Sequence, residues 1–231
     1  MELLQVREKE IFEALKALKG SKFTIIGGYA VNAYALPRFS VDCDIVVEEE
    51  QELEEIKKRL EERGYERKEA NKISTPYHGS FERYEKTILK DFSVSMDILM
   101  KDILDRQTKA TFSASWVFKH SKEILLRGKT ITEKIISRVI TADALFAMKA
   151  ISCRASDIRD IFMLAPLIKD KEFVREEISK RTPIEERSEK IISSISSKQF
   201  RDGLQGVFGL IDETAYNKHK NAIRDILETK E

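Results

Sequence analysis

The chain has 231 residues, of which 42% are hydrophobic and 35% charged, a balance that excludes a disordered or fibrous protein. Its 41 basic and 40 acidic residues leave a formal net charge of +1, which excludes a global positive field that recruits nucleic acid. The two cysteines, Cys43 and Cys153, lie in apolar segments, so we expect neither a disulfide framework nor a cysteine-based zinc site. No apolar run approaches the roughly 18 residues of a membrane span, and we expect a cytoplasmic protein without a membrane partner.

The first part of the chain alternates between predicted helices and strands. Apolar residues at helical spacing predict a helix over residues 5–19, which Gly20 ends. A short buried strand over Phe23–Ile26 then runs directly into Gly27-Gly28. The next predicted elements are a helix closed by a proline, a strand and a charged amphipathic helix, over Tyr29–Leu36, Val41–Val47 and Glu48–Arg63. This order of strands and helices indicates an α/β opening.

The middle of the chain has the character of antiparallel β-structure. Three strand-like stretches follow one another at Tyr65–Ile73, Phe81–Leu89 and Phe92–Leu99. A short helix is predicted around Trp116. After it, Gly128 separates two stretches that could form a hairpin, Glu123–Leu126 and Thr130–Ile136. The sheet is therefore expected to be mixed.

Helix signals dominate from Thr141 onward. Thr141 and Ser156 are predicted N-caps, Thr182-Pro183 opens a third helix, and an amphipathic helix is expected from Asp212 to Leu227. We therefore predict an α/β (α+β) fold. A mixed β-sheet flanked by helices occupies residues 1–138, and a helical domain occupies residues 139–231.

Two carboxylates lie two residues apart on the second predicted strand. Because side chains alternate along a strand, Asp42 and Asp44 point to one face, while Cys43 and Ile45 point to the core. Two like charges this close repel each other unless a cation compensates them, and clustered acids suit hard divalent ions such as Mg²⁺. Asp97 is a lone acid inside a third apolar strand. If that strand is a neighbour, the three acids converge on a metal site.

The pair Gly27-Gly28 stands where a predicted strand enters a helix. Its backbone N–H groups are unobstructed and lie at the positive end of a helix dipole, which suits a phosphate group. Taken alone, two glycines are usually a tight bend. The sequence has neither GxGxxG nor GxxxxGK[ST], so the Rossmann and P-loop fingerprints are missing.

These motifs together resemble a known signature. Ile25-Ile-Gly-Gly28, thirteen further residues, Asp42-Cys-Asp44 and a later Asp97 resemble the nucleotidyltransferase superfamily that includes DNA polymerase β. The resemblance implies two Mg²⁺ ions, with Mn²⁺ as an alternative, held by Asp42 and Asp44, and Asp97 as a further ligand of the catalytic ion. It implies transfer of a nucleoside monophosphate from an NTP to an acceptor hydroxyl with release of pyrophosphate. Asp97 or a metal-bound hydroxide would assist deprotonation, and Gly27 and Gly28 would hold the phosphates.

A second segment extends the likeness upstream of the acid pair. Arg38-Phe-Ser40-Val-Asp42 resembles an Arg-x-Thr-x-Asp stretch of minimal nucleotidyltransferases, with Ser40 in place of threonine. The resemblance implies that Arg38 and Ser40 belong to the nucleotide-binding site.

A third segment extends the likeness into the helical half. The stretch from Lys149 through Arg154 to Asp157 and Asp160 resembles a Lys…Arg-x-x-Asp-x-x-Asp segment of AbiEii-type toxins. The likeness implies that Lys149 reaches the nucleotide phosphates and assists catalysis, and that Asp157 and Asp160 help to order the site. The structural alternative is that Lys149 is a surface lysine and that the two acids pair with neighbouring arginines at the surface.

Several functional alternatives stay open at this point. The acceptor is an RNA or tRNA end, a protein side chain or a small molecule, and the AbiEii likeness implies an antitoxin as a partner. A catalytically silent protein of the same fold, acting as a toxin-antitoxin or interaction module, is the alternative, against which the retention of three acids argues. A different phosphate-binding α/β enzyme lacks its glycine fingerprints. The oligomeric state is open.

Overall fold

The computed structural model describes residues 3–68, 80–90, 92–105, 107–209 and 211–228. The chain forms two compact units, each assembled from several segments. The first unit consists of Met1–Ala33, Phe39–Leu104 and Thr111–Ile140. The second unit consists of Tyr34–Arg38, Asp105–Ala110 and Thr141–Glu231. The division into domains at residues 138 and 139 stays a prediction.

The first unit is built on a mixed β-sheet, as predicted. The strands of the described residues are β1 (Thr24–Ile25), β2 (Asp42–Val47), β3 (Glu66–Lys68), β4 (Ser80–Leu89), β5 (Phe92–Met100), β6 (Asp102–Leu104), β7 (Thr111–Ser113), β8 (Ser121–Arg127) and β9 (Lys134–Ile140). Seven of them form one sheet in the order β3-β4-β5-β2-β1-β9-β8. Within it β2 is parallel to β5 and β1 is parallel to β9, whereas the other neighbours are antiparallel. A separate pair, β6 with β7, was not predicted.

Four helices of the described residues accompany this sheet. They are α1 (Leu3–Ala17), α2 (Gly27–Asn32), α3 (Glu50–Glu62) and α4 (Ala114–Lys119). The predicted helix over Tyr29–Leu36 is wrong at both ends, because α2 starts at the glycines themselves and ends at Asn32. The residues that follow, Tyr34–Arg38, cluster with the second unit, an assignment that no local signal in the sequence reports. The predicted strand over Tyr65–Ile73 is observed as β3, and residues 69–73 lie outside the described part.

The hairpin of β8 and β9 is confirmed, but its second strand begins later than predicted. The backbone N–H groups of Lys129 and Thr130 donate to the Glu8 carboxylate on α1, at 2.5 Å and 2.8 Å. Glu8 is only 3% exposed, and it takes a third hydrogen bond from the Thr130 hydroxyl at 2.8 Å. Residues bonded to α1 in this way do not join the sheet ladder, so β9 starts at Lys134.

The alternation of side chains on β2 is the one expected from its sequence. Cys43 and Ile45 are completely buried, whereas Asp42 and Asp44 on the other face are partly exposed. Cys43 and Cys153 are both buried free thiols. Burial raises the pKa of the Cys43 thiol, and the neighbouring Asp44 adds to the shift. Each cysteine therefore serves as a small buried residue.

The second unit is helical. Its helices within the described residues are α5 (Ala142–Ser152), α6 (Ala155–Leu164), α7 (Lys171–Ser179), α8 (Ile184–Ile195), α9 (Lys198–Phe208) and α10 (Glu213–Leu227). Thr141 caps α5 by accepting from the Ala144 N–H, which confirms its predicted role. The prediction of Ser156 as an N-cap is wrong. Helix α6 already begins at Ala155, and the Asp157 carboxylate accepts the Arg154 backbone N–H at 3.2 Å. In the described part of the chain, no helix is both long and apolar enough to cross a membrane.

Candidate active site

Three carboxylates share one face of the sheet in the first unit. In the parallel pairing of β2 with β5, Asp44 lies directly opposite Asp97, and Asp42 lies opposite Ser95 two positions earlier. Paired residues of neighbouring strands point to the same face, so Asp42, Asp44 and Asp97 form a group that we call the acidic face. The proximity of these two strands, on which the predicted convergence depended, is thus a feature of the fold. The metal-binding role of the three acids stays a prediction.

Gly27 lies against the acidic face. Its backbone has φ of +65°, a left-handed conformation that favours glycine. A Cβ atom at this position would lie 2.0 Å from Oδ2 of Asp44, far inside any allowed contact. The adjacent Ile26 N–H donates to the Asp44 carbonyl oxygen at 3.0 Å. The missing side chain of Gly27 therefore makes room for the Asp44 carboxylate, a role that the sequence pattern did not suggest.

Arg83 on β4 completes the row of charges across three strands. It lies opposite Asp97 in the antiparallel pairing of β4 with β5, so its side chain emerges on the acidic face. Its Nε and Nη2 donate to Oδ1 and Oδ2 of Asp97 at 2.8 Å and 2.6 Å. Nη2 also lies 3.7 Å from Oδ2 of Asp42. The hydrogen bond to Asp97 raises the pKa of Arg83, against the opposing effect of burial.

The sequence pattern does not identify Arg83 as a residue of the site. An arginine on an alternating strand is ordinarily a solvated side chain, and only the register between β4 and β5 places it beside Asp97. A signal would have required the pairing of these two strands to be known. The pattern of hydrophobic residues leaves this register undetermined.

The donor set of the acidic face fits a divalent cation in its chemistry. Three carboxylates supply hard oxygen ligands, Gly27 leaves open the space beside Asp44, and the Arg83 guanidinium is a cation already standing among them. In the described part of the chain, however, no group of three or more aspartate, glutamate, histidine or cysteine side chains has an arrangement that could hold a metal ion. The Arg83 guanidinium contacts Asp97 and lies near Asp42.

Gly28 and Ser40 are the other predicted site residues of the first unit. Gly28 is buried within α2, and Ser40 is partly exposed in the segment that leads into β2. Their predicted roles in nucleotide binding stay predictions.

A buried ionic network lies within the second unit. The Lys149 ammonium is 3.0 Å from Oδ1 of Asp157 and 2.7 Å from Oδ2 of Asp160. Arg38 forms a two-pronged pair with the same Asp160, from Nε to Oδ1 at 2.6 Å and from Nη2 to Oδ2 at 2.7 Å. We call Arg38, Lys149, Asp157 and Asp160 the buried network. Its two positive and two negative charges balance.

Burial excludes the surface alternative for this segment. Lys149 is 7% exposed, Asp157 is 7% exposed and Asp160 is fully buried. The alternative of a surface lysine beside surface ion pairs is therefore wrong, because ions at this depth persist only when they are paired. The resemblance to the AbiEii-type segment already grouped Lys149, Asp157 and Asp160. The structure adds Arg38, which lies 122 residues from Asp160 in the chain.

The charges of the buried network are held by their mutual attraction. Burial alone would lower the pKa of Lys149, but Asp160 and Asp157 outweigh it, so the pKa lies above its ordinary value. Burial alone would raise the pKa of Asp160, but Lys149 and Arg38 outweigh it, so the pKa is lowered. Both groups therefore remain ionised at neutral pH.

The chain is similar to known proteins in both sequence and fold. The sequence profile described as "Nucleotidyl transferase AbiEii toxin, Type IV TA system" matches residues 11–228. A candidate nucleotidyltransferase from Helicobacter pylori is 15% identical with a TM-score of 0.56, over 99% of this chain and 96% of the other. MenT4, a nucleotidyltransferase toxin from Mycobacterium tuberculosis, is 14% identical with a TM-score of 0.56, over 99% and 85%. These structural likenesses bear on the fold, which they show to be of the nucleotidyltransferase type. No curated protein shows a significant match.

Proposed function

The chain belongs to the AbiEii nucleotidyltransferase toxin family, and on this premise we propose that it transfers a nucleoside monophosphate from an NTP to an acceptor hydroxyl, releasing pyrophosphate. The family establishes the enzyme class as nucleotidyltransferase and implies a toxin-antitoxin context with a nucleotide substrate. The acidic face is the proposed centre of the reaction.

One observation carries the proposal. Asp44 and Asp97 lie opposite each other on parallel strands, and Asp42 shares their face. Such a row of carboxylates is unfavourable by itself, since like charges repel across neighbouring strands. Asp97 is moreover only 4% exposed, and the Arg83 guanidinium compensates the charge of its carboxylate. A site selected for binding cations and reacting phosphates accounts for this arrangement.

The residues of the acidic face would divide the work. Asp42 and Asp44 would bind the divalent cations, Mg²⁺ or Mn²⁺, and Asp97 would be a third ligand. Bound divalent cations supply charge stabilisation to the triphosphate and to the attacking oxygen. Gly27 would keep the Asp44 carboxylate in place by leaving room for it, and the backbone N–H groups of Gly27 and Gly28 would face the phosphates.

The chemical step would be a substitution at the α-phosphorus. The acceptor oxygen forms a bond to this phosphorus, and the bond from the phosphorus to the oxygen bridging the α- and β-phosphates breaks. Pyrophosphate leaves with the bonding electrons. The proton of the acceptor hydroxyl passes to a base, for which the Asp97 carboxylate is the candidate on this face.

The buried network is proposed to serve the nucleotide site as its sequence likeness implies. Lys149 would contribute to phosphate binding and catalysis, and Asp157 and Asp160 would order the segment. Arg38 and Ser40 would contribute to nucleotide binding. The observation that supports an ordering role is the balanced pairing of all four network charges. The acceptor would be an RNA or tRNA end, a protein side chain or a small molecule.

The proposal is tested by asking which cellular fraction becomes labelled. The protein is incubated with Mg²⁺, each of the four NTPs labelled at the α-phosphate, and separated RNA, protein and small-molecule fractions. Asp44→Asn should abolish the labelling. Asp102→Asn is the matched control, because Asp102 is an exposed carboxylate on β6. Labelling that persists in Asp44→Asn would place the reaction elsewhere. Label recovered only as free nucleoside mono- or diphosphate would show hydrolysis instead of transfer.

A further inference from the structure

Arg83 engages both oxygens of the Asp97 carboxylate. Nε approaches Oδ1 and Nη2 approaches Oδ2, in the two-pronged geometry that makes arginine–carboxylate pairs strong. The positive guanidinium repels a second cation at the same oxygens. A divalent ion that uses Asp97 as a ligand must therefore compete with Arg83.

Arg83 and Asp97 differ in how far their side chains are exposed to solvent. The Arg83 side chain is 41% exposed, whereas that of Asp97 is 6% exposed. Nη2 is only 3.7 Å from Oδ2 of Asp42, so the guanidinium already extends over the acidic face. Release from Asp97 leaves a long, solvent-accessible side chain attached to β4 next to the three carboxylates.

We propose that Arg83 is a phosphate-binding residue that Asp97 holds until a divalent cation displaces it, an inference that rests on the proposed function. The cation takes the place of the guanidinium at Asp97, and the freed guanidinium binds the triphosphate. A planar guanidinium forms two-pronged hydrogen bonds with phosphate as well as with carboxylate, so the exchange preserves its bonding geometry. The triphosphate supplies the negative charge that Arg83 loses at Asp97.

The first part of the test is a calorimetric titration with Mn²⁺ alone. Arg83→Gln removes the competing cation, so it should bind Mn²⁺ roughly three- to tenfold more tightly than the wild type, the effect of losing one partly exposed ion pair. Arg67→Gln is the matched control. It removes the same charge from β3, where Arg67 pairs with Glu82 at 3.2 Å. Glu82 directly precedes Arg83 on β4, so its side chain points to the opposite face of the sheet. This control should leave Mn²⁺ affinity unchanged.

The second part measures the affinity for inorganic tripolyphosphate at saturating Mn²⁺, which avoids any dependence on the nucleotide base. Arg83→Gln should weaken this binding about tenfold, the loss of one charged two-pronged contact, and Arg67→Gln should not. The two expected changes have opposite signs, so a variant that is merely misfolded, which loses both affinities, does not imitate them. Arg83→Lys keeps the positive charge but cannot form the two-pronged contact. Its affinities for Mn²⁺ and tripolyphosphate should change in the same directions by smaller factors, which keeps the test available if Arg83→Gln does not fold.

The outcomes separate this proposal from the one on which it rests. If the wild type does not bind Mn²⁺, or if Asp44→Asn binds it equally well, the proposed function fails and the exchange fails with it. If Mn²⁺ binding depends on Asp44 but the Arg83 variants match Arg67→Gln in either titration, the exchange is overturned. In that case the proposed function stands.

Discussion

Gly27 lies so close to the Asp44 carboxylate that no Cβ atom can be added to it without a clash. The distance of 2.0 Å from an ideal Cβ at Gly27 to Oδ2 of Asp44 links the tight turn after β1 to the acid on β2. The glycine and the acid of the sequence motif are therefore parts of one packing arrangement. The consequence can be measured by substitution.

Gly27→Ala should displace the Asp44 carboxylate and reduce nucleotidyl transfer by ~100-fold, the order that ångström-scale misplacement of a reacting group produces. The activity is measured with the labelled NTP that the wild type uses. Gly20→Ala is the control, because Gly20 also has a positive φ, of +98°, but has nothing within 4 Å of its ideal Cβ. Both variants carry the left-handed strain of about 1–2 kcal/mol. Equal activities in the two would show that the contact with Asp44 is unimportant.

Lys149→Met should lower the free energy of unfolding by about 3 kcal/mol, because it leaves the buried carboxylates of Asp157 and Asp160 without their shared ammonium. Urea denaturation followed by circular dichroism measures the change. Lys171→Met is the control, since Lys171 pairs with Asp225 at a site where both side chains are about two-fifths exposed. That pair is expected to contribute less than about 1 kcal/mol. A similar small loss in both variants would contradict the importance of the buried network.

The pH dependence of stability should carry the signature of Asp160. Its pKa in the folded protein lies below the ordinary value of 3.8, so the unfolded chain takes up the proton first as the pH falls. The stabilisation is therefore fully present well above pH 3.8 and is lost as the pH falls through the lowered pKa. Urea unfolding between pH 3 and pH 7 should show a shallower acid slope in Asp160→Asn than in the wild type. Identical slopes would remove Asp160 from the acid response.

Glu8→Ala should destabilise the loop between β8 and β9 by about 1–3 kcal/mol, because the N–H groups of Lys129 and Thr130 lose their buried acceptor. Hydrogen exchange of these two amides, measured by mass spectrometry or NMR, should accelerate ahead of global unfolding. Glu13→Ala on the same helix is the control, since Glu13 is more than a third exposed and pairs only locally with Lys16. Unchanged exchange at Lys129 and Thr130 would show that water replaces the carboxylate without cost.

Much of the fold follows from local patterns. The mixed sheet, the helical second part, the cap at Thr141 and the helix that ends at Leu227 agree with the predictions, because periodicity and capping act within a few residues. The errors at the end of α2 and the start of β9 arise where distant contacts take over the backbone. Tyr34–Arg38 clusters with the second unit, and Thr130 bonds to Glu8.

The residues of the candidate site likewise divide into those placed by local patterns and those placed by distant contacts. Asp42 and Asp44 are placed on one face by local pattern alone, because a strand alternates with a period of two whatever lies beside it. The pairing of distant segments places Asp97 opposite Asp44, Arg83 beside Asp97 and Arg38 beside Asp160. These relationships depend on strand register and on contacts between residues far apart in the chain. No local preference encodes them, since they are set by which arrangement best pairs the buried charges and fills the core.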